Sequence, residues 1–343
     1  MPLTGSRLWW GVGALVLAGA GAWATFWWAG KAGNAVRQEP LQCALPLQTA
    51  NPAHPGMVWV PGGSFEFGDT TYPEEQPVRP VTLNGFWMDR TEVTNDEFAR
   101  FVKATGYVTV AERVVDPAVH PGLPPDLQKP GAVVFVMPND VNGQGKLIEW
   151  WRYIPGANWR HPGGPGTAID GKGAFPVVTV TIEDAQAYAR WKGHALPSEA
   201  QWEWAARAGM AQSGKDHDQP KQANTWQGLF PVVNSGDDGF VGLAPVGCYS
   251  PNAYGLFDMI GNVWELTADE YKPYHRDVNG TTADQAPAGL RSPQPSQRVI
   301  KGGSFLCAPN YCMRYRSGAR QPQDDDLGAS HLGFRTILLA PAP

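Results

Sequence analysis

Glycine and proline punctuate this chain so often that long regular helices and strands have little room. The 343 residues include 40 Gly and 32 Pro, and both residue types interrupt regular elements. The chain also contains 15 Trp, and hydrophobic residues make up 43% of it. Because tryptophan needs buried partners, this composition argues against disorder. The sequence therefore predicts an α+β protein with a substantial core, long ordered loops and low regular secondary structure.

The charge pattern excludes one large class of partners. The formal net charge is −5, and 17% of the residues are charged, which is below the usual quarter or so. The sequence has no basic cluster and no long run of charges of one sign. Proteins that bind nucleic acid usually carry such a basic patch, so we expect no nucleic-acid partner.

The first thirty residues differ in kind from the rest. After Arg7, an uncharged apolar run extends from Leu8 to Gly30 and has tryptophans near both ends. A run of ~20 apolar residues can span a bilayer, and Trp favours the two interfaces. Residues 1–30 are therefore predicted to form an N-terminal apolar helix that anchors the chain in a membrane. A cleaved signal sequence, with Ala22-Trp23-Ala24 as its processing site, is the alternative.

The remainder divides into a linker and one domain. Residues 31–55 are polar and contain proline, so they are predicted to be a linker. Residues 56–343 contain no internal repeat and no Gly/Ser-rich break, which is typical of a single large domain.

Local patterns predict several elements at the start of this domain. Met57 to Gly68 alternates apolar residues around Pro-Gly-Gly and predicts a hairpin, and Val81 to Met88 predicts another strand. Helices are predicted to open at Thr94, Thr181 and Ser198, because each precedes an apolar-periodic segment and can cap it.

Two cysteines mark the part of the chain with the clearest chemistry. Cys307 and Cys312 stand five positions apart, and Pro309 and Asn310 between them favour a turn. Two thiols in one loop can form a disulfide, exchange with another disulfide or hold a soft metal ion. Zinc is disfavoured because two further ligands at finger-like spacing are missing. Two thiolates without neighbouring imidazoles suit a low-coordinate soft ion such as Cu(I).

From about Met57 to Leu339 the chain resembles the formylglycine-generating enzymes, the sulfatase-modifying oxidase family. The resemblance rests on blocks that agree in order and spacing: Met57 to Phe67, Thr91 to Asn95 with Phe98, Ala157 to Pro162, Leu196 to Glu203, Pro251 to Glu265, Arg298 to Ser304 and His331 to Arg335. It implies one large C-type-lectin-like domain over residues 56–343. Non-oxidase relatives of this fold lack the cysteine pair, so the pair resembles the catalytic loop of true oxidases.

The resemblance implies a copper-dependent oxidase acting on a protein cysteine. Such an enzyme converts the cysteine of a Cys-x-Pro-x-Arg motif in a sulfatase client to Cα-formylglycine with O2. Cys307 and Cys312 then hold Cu(I), and Ser304 hydrogen-bonds near the oxygen site or, alternatively, serves only as a turn residue. Tyr311 lines the peptide groove or packs in the core. The seven histidines are scattered, which counts against the iron-dependent sulfoxide synthases that carry a related domain.

The resemblance also implies two calcium sites in irregular, oxygen-rich loops. Calcium takes carboxylates, amide oxygens and backbone carbonyls; the alternative is Asn/Asp turn chemistry without an ion. The first ligand set is Asn224, Thr225 (carbonyl), Asp238 and Phe240 (carbonyl). The second ligand set is Asp258, Gly261 (carbonyl), Val263 (carbonyl) and Glu265.

The sequence leaves two alternative functions possible and does not decide whether two further cysteines are paired. One rival is a lectin-like binding module with an incidental disulfide, and the other is a maturation enzyme for a different exported client, such as a siderophore or peptide. Copper dependence separates enzyme from module, and client identity separates the two enzymes. Cys43 and Cys248 lie outside the loop pattern and either pair or stay free.

The location of the domain follows from two opposing signals. Lys31 and Arg37 follow the apolar run and outnumber Arg7 before it, which by the positive-inside rule favours a cytoplasmic domain. The resemblance is to enzymes that often work on exported clients. We therefore expect a membrane-anchored domain on the periplasmic or extracellular side, or a secreted one if residues 1–30 are cleaved.

Overall fold

The structure of the protein is a computed structural model. It describes residues 43, 53–117, 120, 122–138, 150–208, 219–273, 275 and 296–339. All of them belong to one compact unit, Pro40–Pro343. None of the helices in these ranges is both long and apolar enough to cross a membrane. The predicted anchor and nearly all of the predicted linker lie outside the described residues.

Regular elements are short, as the glycine and proline content predicts. In chain order they are β1 (Met57–Val60), β2 (Gly63–Phe67), β3 (Arg79–Leu83), β4 (Phe86–Asp89), α1 (Asn95–Thr105), β5 (Gly131–Phe135), β6 (Trp151–Pro155), α2 (Ile182–Lys192), α3 (Glu199–Arg207), β7 (Trp264–Glu270), β8 (Gln297–Lys301), β9 (Gln321–Asp324), β10 (Leu332–Gly333) and β11 (Ile337–Leu338). Three single 3-10 turns lie at Pro73–Glu75, Val110–Glu112 and Pro125–Leu127. The mixture of helix and sheet confirms the α+β prediction.

The three helices begin where the sequence predicts. Thr94, Thr181 and Ser198 are the N-cap residues of α1, α2 and α3, and each forms a reciprocal capping box with the third helical residue. Such caps satisfy amide groups that the first turn leaves without partners. α1 and α2 end at Gly106 and Gly193, both in the left-handed conformation that favours glycine.

The predicted opening hairpin is wrong. β1 pairs with β4, and β2 pairs with β3, so the two strands on either side of the Pro-Gly-Gly turn belong to different sheets. The predicted strand Val81 to Met88 is likewise two strands, broken at Asn84-Gly85. Gly62 permits this exchange of strand partners between β1 and β2. A Cβ at Gly62 would lie 2.6 Å from the Leu83 carbonyl oxygen and 2.8 Å from the Gly85 nitrogen. The turn between β1 and β2 packs directly against the link between β3 and β4.

One four-stranded sheet, in the order β10-β7-β8-β9, carries the chain towards the cysteine loop. Lys301, the last residue of β8, is fully buried, with its Nζ 3.0 Å from Glu203 and 3.6 Å from Glu199. Both carboxylates belong to α3. Because a buried charge needs partners, these contacts fix the end of β8 against α3 immediately before the loop begins.

Candidate active site

The loop after β8 brings the two predicted cysteines together. Gly302 and Gly303 have φ values of 96° and 78°, which only glycine adopts readily. Ala308 and Tyr311 then exchange backbone hydrogen bonds of 2.7 and 3.0 Å around the Pro309-Asn310 turn. This tight turn folds Cys312 back towards Cys307, as the sequence predicts.

The two sulfur atoms face each other without a covalent bond. The Cys307 and Cys312 sulfurs are 2.7 Å apart, and both residues are free cysteines. A disulfide bond is about 2.05 Å long. Cys307 is fully buried and Cys312 is half-buried, with a left-handed φ of 57°. The strained backbone of Cys312 is held by the Arg314 amide, which donates to the Cys312 carbonyl at 2.6 Å.

The local hydrogen bonds make the two thiols unlike. Burial alone raises the pKa of Cys307, but hydrogen bonds from the Cys312 thiol and the Ser304 amide outweigh it and lower that pKa. The hydrogen bond to Cys307, followed by burial, raises the pKa of Cys312 well above its usual range. Cys307 is therefore the more acidic thiol of the pair, and Cys312 the less acidic.

A small cavity opens beside the thiol pair, with Cys312 in its wall. Its volume is about 160 Å³, and its lining residues are Trp264, Ser304, Leu306, Tyr311, Cys312, Arg314, Gln321 and His331. Tyr311 stacks on Phe230 with the ring centroids 4.0 Å apart, and its hydroxyl accepts a 3.3 Å hydrogen bond from Trp151 Nε1. Tyr311 thus lines the cavity and is partly buried against an aromatic cluster; its role in a peptide groove stays a prediction.

Ser304 lies at the base of this cavity. Its hydroxyl oxygen accepts the Leu306 amide at 3.3 Å and lies 3.3 Å from His331 Nδ1. His331 itself lies within the last matching sequence block but was not predicted as a site residue. Burial lowers the pKa of His331 to about 3, so its ring is neutral at physiological pH and can exchange a hydrogen bond with Ser304.

The first predicted calcium set forms one cluster. Asp238 accepts the amide N–H groups of Thr225 at 2.9 Å and Phe240 at 3.2 Å. The side-chain oxygen of Asn224 is buried and has no hydrogen-bond donor. Buried polar atoms are normally paired, so this oxygen is available to a cation. The oxygen-rich donor set fits Ca²⁺.

The second predicted set is buried and strongly acidic. Glu265 makes two 2.7 Å contacts with Arg335, and Asp258 accepts the Gly247 amide at 2.6 Å. Glu92, which the sequence analysis did not single out, interacts directly with Asp258 and has a buried oxygen without a donor. Burial raises the pKa of Asp258 to about 6 and, with the Asp258 charge, raises that of Glu92 well above its usual range.

Charge balance decides whether a cation fits this second cluster. Three buried carboxylates share the single guanidinium of Arg335, and a divalent cation would relieve their repulsion. No three His, Cys, Asp or Glu side chains in the described ranges are arranged as a metal cage. Any ion at either cluster would therefore depend on backbone carbonyls as well, such as those predicted at Gly261 and Val263.

Backbone hydrogen bonds join both clusters to the cysteine loop. The Trp226 amide donates to the Cys307 carbonyl at 3.0 Å, directly after the first cluster's Thr225. The Phe305 amide donates to the Asn262 carbonyl at 2.9 Å within the second cluster's segment. A change at either cluster can therefore move the loop that carries the thiols.

The remaining two cysteines pair with each other. Cys43 and Cys248 form a disulfide across 205 residues of sequence, which resolves the alternative left open by the sequence. A bridge over so long a separation cannot be read from spacing alone.

Comparison with known proteins identifies the family. The model of the sulfatase-modifying factor enzyme 1-like domain matches residues 43–340. The chain is 48% identical over 290 residues to the formylglycine-generating enzyme of Mycobacterium tuberculosis, which covers 82% of this chain and 97% of that protein. The chain therefore belongs to the sulfatase-modifying factor enzyme 1-like family, as the sequence motifs predict.

Two further relatives show how widely this fold is used. The structure of PvdO from Pseudomonas aeruginosa has a TM-score of 0.53 and 26% identity, and the match covers 82% of this chain and 93% of that one. The inactive C-alpha-formylglycine-generating enzyme 2 of Mus musculus is 36% identical over 308 residues, 87% of this chain and 90% of that protein. Membership of the family does not by itself establish activity, so the site must carry that argument.

Proposed function

We propose that this protein is a copper-dependent oxidase that converts a cysteine of a sulfatase-type client to Cα-formylglycine. The observation that carries the proposal is the pair of free, unequal thiols at Cys307 and Cys312, of which Cys312 lines a cavity. Two soft sulfur donors fit Cu(I). A lectin-like module with an incidental disulfide gains no support from sulfurs that are unbonded.

Bound Cu(I) would supply the activation of O2 and a soft position for the client thiolate. Within the chain, the Ser304 amide donates to the Cys307 sulfur at 3.4 Å, which favours the thiolate form that a copper ligand needs. Cys312 would be the second sulfur donor to the ion, and its proton would be released to solvent on binding. The cavity of about 160 Å³ beside Cys312 is the proposed position of the client's cysteine side chain.

The aromatic wall of the cavity would orient the client. Tyr311, stacked on Phe230 and hydrogen-bonded to Trp151, gives a rigid flat surface for an extended peptide. Ser304 and the neutral ring of His331 provide hydrogen-bonding groups close to the reacting sulfur. The client is proposed to carry a Cys-x-Pro-x-Arg motif.

Electron balance identifies a further requirement. Converting the client's thiol carbon to an aldehyde releases two electrons and hydrogen sulfide, whereas the reduction of O2 to water takes four. A thiol reductant must therefore supply two electrons in each turnover.

Calcium ions are proposed to hold the two oxygen-rich clusters. The free oxygen of buried Asn224 and the uncompensated carboxylates around Arg335 support this assignment. Their role would be to hold the irregular loops that hydrogen-bond to the cysteine loop, with no part in the oxidation itself.

The domain is proposed to be exported and held at a membrane by residues 1–30. The Cys43–Cys248 disulfide supports an oxidising compartment. Protease added to sealed vesicles of known orientation tests this point. If protease added on the outer side of the membrane leaves residues 56–343 intact, the domain is cytoplasmic and this proposal is wrong.

Mass spectrometry of a Cys-x-Pro-x-Arg peptide tests the activity. The full chain is incubated with the peptide, Cu(I), O2 and a thiol reductant, and the product is trapped with an aldehyde-reactive hydroxylamine. We expect an aldehyde at the cysteine position and none with a Ser-x-Pro-x-Arg peptide. Copper-independent binding without product would instead favour a binding module. Activity only on a different peptide would favour the other maturation enzyme.

A further inference from the structure

The Cys43–Cys248 disulfide lies outside the cysteine loop, yet its surroundings connect it to both proposed calcium clusters. Cys248 belongs to an irregular segment, residues 242–249, called here the bridging loop. Val246, Gly247 and Tyr249 in this loop are buried. Its contacts with the two clusters indicate what the disulfide does.

On one side, the bridging loop holds the second cluster. The Gly247 amide, next to Cys248, donates to Asp258 Oδ2 at 2.6 Å. The Ala244 amide donates to the side-chain oxygen of Asn262 at 3.0 Å. Asn262 in turn donates to Glu92 at 3.0 Å. The loop therefore orients two carboxylates of this cluster, one directly and one through an amide side chain.

On the other side, the bridging loop holds the first cluster. Asn224 Nδ2 donates to the Gly242 carbonyl at 2.8 Å, and this contact leaves the Asn224 side-chain oxygen without a donor. The hydroxyl of Tyr249, next to Cys248 on its other side, donates to the Asp238 carbonyl at 3.1 Å. One short loop thus contacts groups from both predicted ligand sets.

We propose that the Cys43–Cys248 disulfide is a positioning element for both cation sites, which it holds in their binding geometry through the bridging loop. This inference rests on the calcium part of the proposed function. The loop has no helix or strand of its own. Besides its contacts with the clusters and the 2.9 Å hydrogen bond from the Val246 amide to the Ala174 carbonyl, the covalent bond to Cys43 restricts its freedom. Without that bond, cation binding must also offset the conformational entropy lost when the loop is ordered, so the calcium affinity falls.

Calcium titration of the full chain in detergent tests the proposal. Wild type is compared with Cys43→Ser, Cys248→Ser and the double variant by isothermal titration calorimetry. Loss of groups that orient metal ligands weakens metal affinity roughly tenfold to a hundredfold, so we expect the calcium Kd to rise roughly tenfold or more. All three variants lose the same bond, so their Kd values should agree. The double variant also prevents mispairing with Cys307 or Cys312.

A matched control separates positioning from general loss of stability. Phe101 is buried in α1 and packs on aromatic residues of its own cluster, so Phe101→Leu should lower the melting temperature and leave the calcium Kd unchanged. The proposal is overturned if the serine variants bind calcium like wild type, or if Phe101→Leu weakens binding as much as they do. If wild type binds no calcium, both the calcium assignment and this inference are wrong, whereas the oxidase proposal is judged separately by peptide oxidation.

Discussion

The sulfur atoms of Cys307 and Cys312 lie 2.7 Å apart, and this contact lowers the pKa of Cys307 and raises that of Cys312. This contact depends on the two-residue turn between them and on the Ser304 amide, which favours the thiolate of Cys307. A structural cysteine pair in an oxidising compartment would normally close into a disulfide, as Cys43 and Cys248 do. Cys307 and Cys312 are instead unbonded, and the proposed copper site rests on this arrangement.

Replacing either thiol should abolish turnover without unfolding the protein. Cys307→Ser and Cys312→Ser each remove one of two soft ligands, so the transition-state stabilisation supplied by the metal, several kcal/mol, should be lost. We expect kcat/KM to fall by more than about a hundredfold, with the circular dichroism melting curve close to that of wild type. Near wild-type turnover in either variant at saturating copper would exclude a two-thiolate mechanism.

Ser304 should matter more for rate than for stability. Ser304→Ala removes the oxygen that accepts the Leu306 amide and contacts His331, and a buried donor without a partner costs about 1–3 kcal/mol. We expect a lower melting temperature together with a fall of roughly tenfold in kcat, since one positioned hydrogen bond in a dry site is worth at least that much. A loss of stability with unchanged kcat would make Ser304 a turn residue only.

Calcium removal should destabilise the domain through the Asp238 cluster. Binding to the native state alone stabilises it by mass action, so chelation should lower the melting temperature of wild type. Asp238→Ala should remove part of that response. Asp237→Ala is the matched control, because Asp237 is exposed and adjacent, and it should respond like wild type. Superimposable wild-type melting curves with and without chelator would remove calcium from the account.

Glu199 should make the free energy of unfolding fall steeply at acidic pH. Burial pushes its pKa up, but His275, Lys301 and Arg320 outweigh this and lower the pKa from 4.5 to about 2. Because the folded pKa lies below the unfolded value, the contribution is full above pH 4.5 and is lost as the pH falls towards 2. The shift corresponds to about 3 kcal/mol.

Denaturant unfolding of Glu199→Gln at several pH values tests this account. The variant should be less stable than wild type by about 3 kcal/mol or more at pH 7, since Arg320 and Lys301 lose a buried partner. The difference should shrink as the pH falls from 4.5 towards 2. The control is Glu183→Gln, which removes an exposed ion pair with Arg113 and should change stability by at most ~1 kcal/mol. A difference that does not change with pH would contradict the assigned pKa.

The helices could be predicted because their signals are local, whereas strand partners could not. Thr94, Thr181 and Ser198 cap their helices with a residue only three positions away. The partner of β1 is instead chosen by tertiary packing, which places Gly62 against the link between β3 and β4. Alternation of apolar residues identifies a strand without identifying its neighbour.

The cysteine loop was predictable from spacing, and the residues that approach it from elsewhere were not. Cys307, Cys312 and Ser304 lie within nine residues of sequence. His331 reaches Ser304 from 27 residues away, and Asn262 contacts Glu92 across 170 residues. His331, Glu92 and Asn262 all lie within the matching motif blocks. Treating every polar residue of those blocks as a candidate site residue would have identified them.

The stoichiometry of Cu(I) binding is the most direct test of the central claim that Cys307 and Cys312 form the copper site. Metal-free full-length protein is titrated anaerobically with Cu(I) against a competing chelator, alongside Cys307→Ser and Cys312→Ser. The account predicts one tightly bound ion per wild-type chain and none in either variant. Wild-type binding by either serine variant, or none by the reduced wild-type protein, would contradict it.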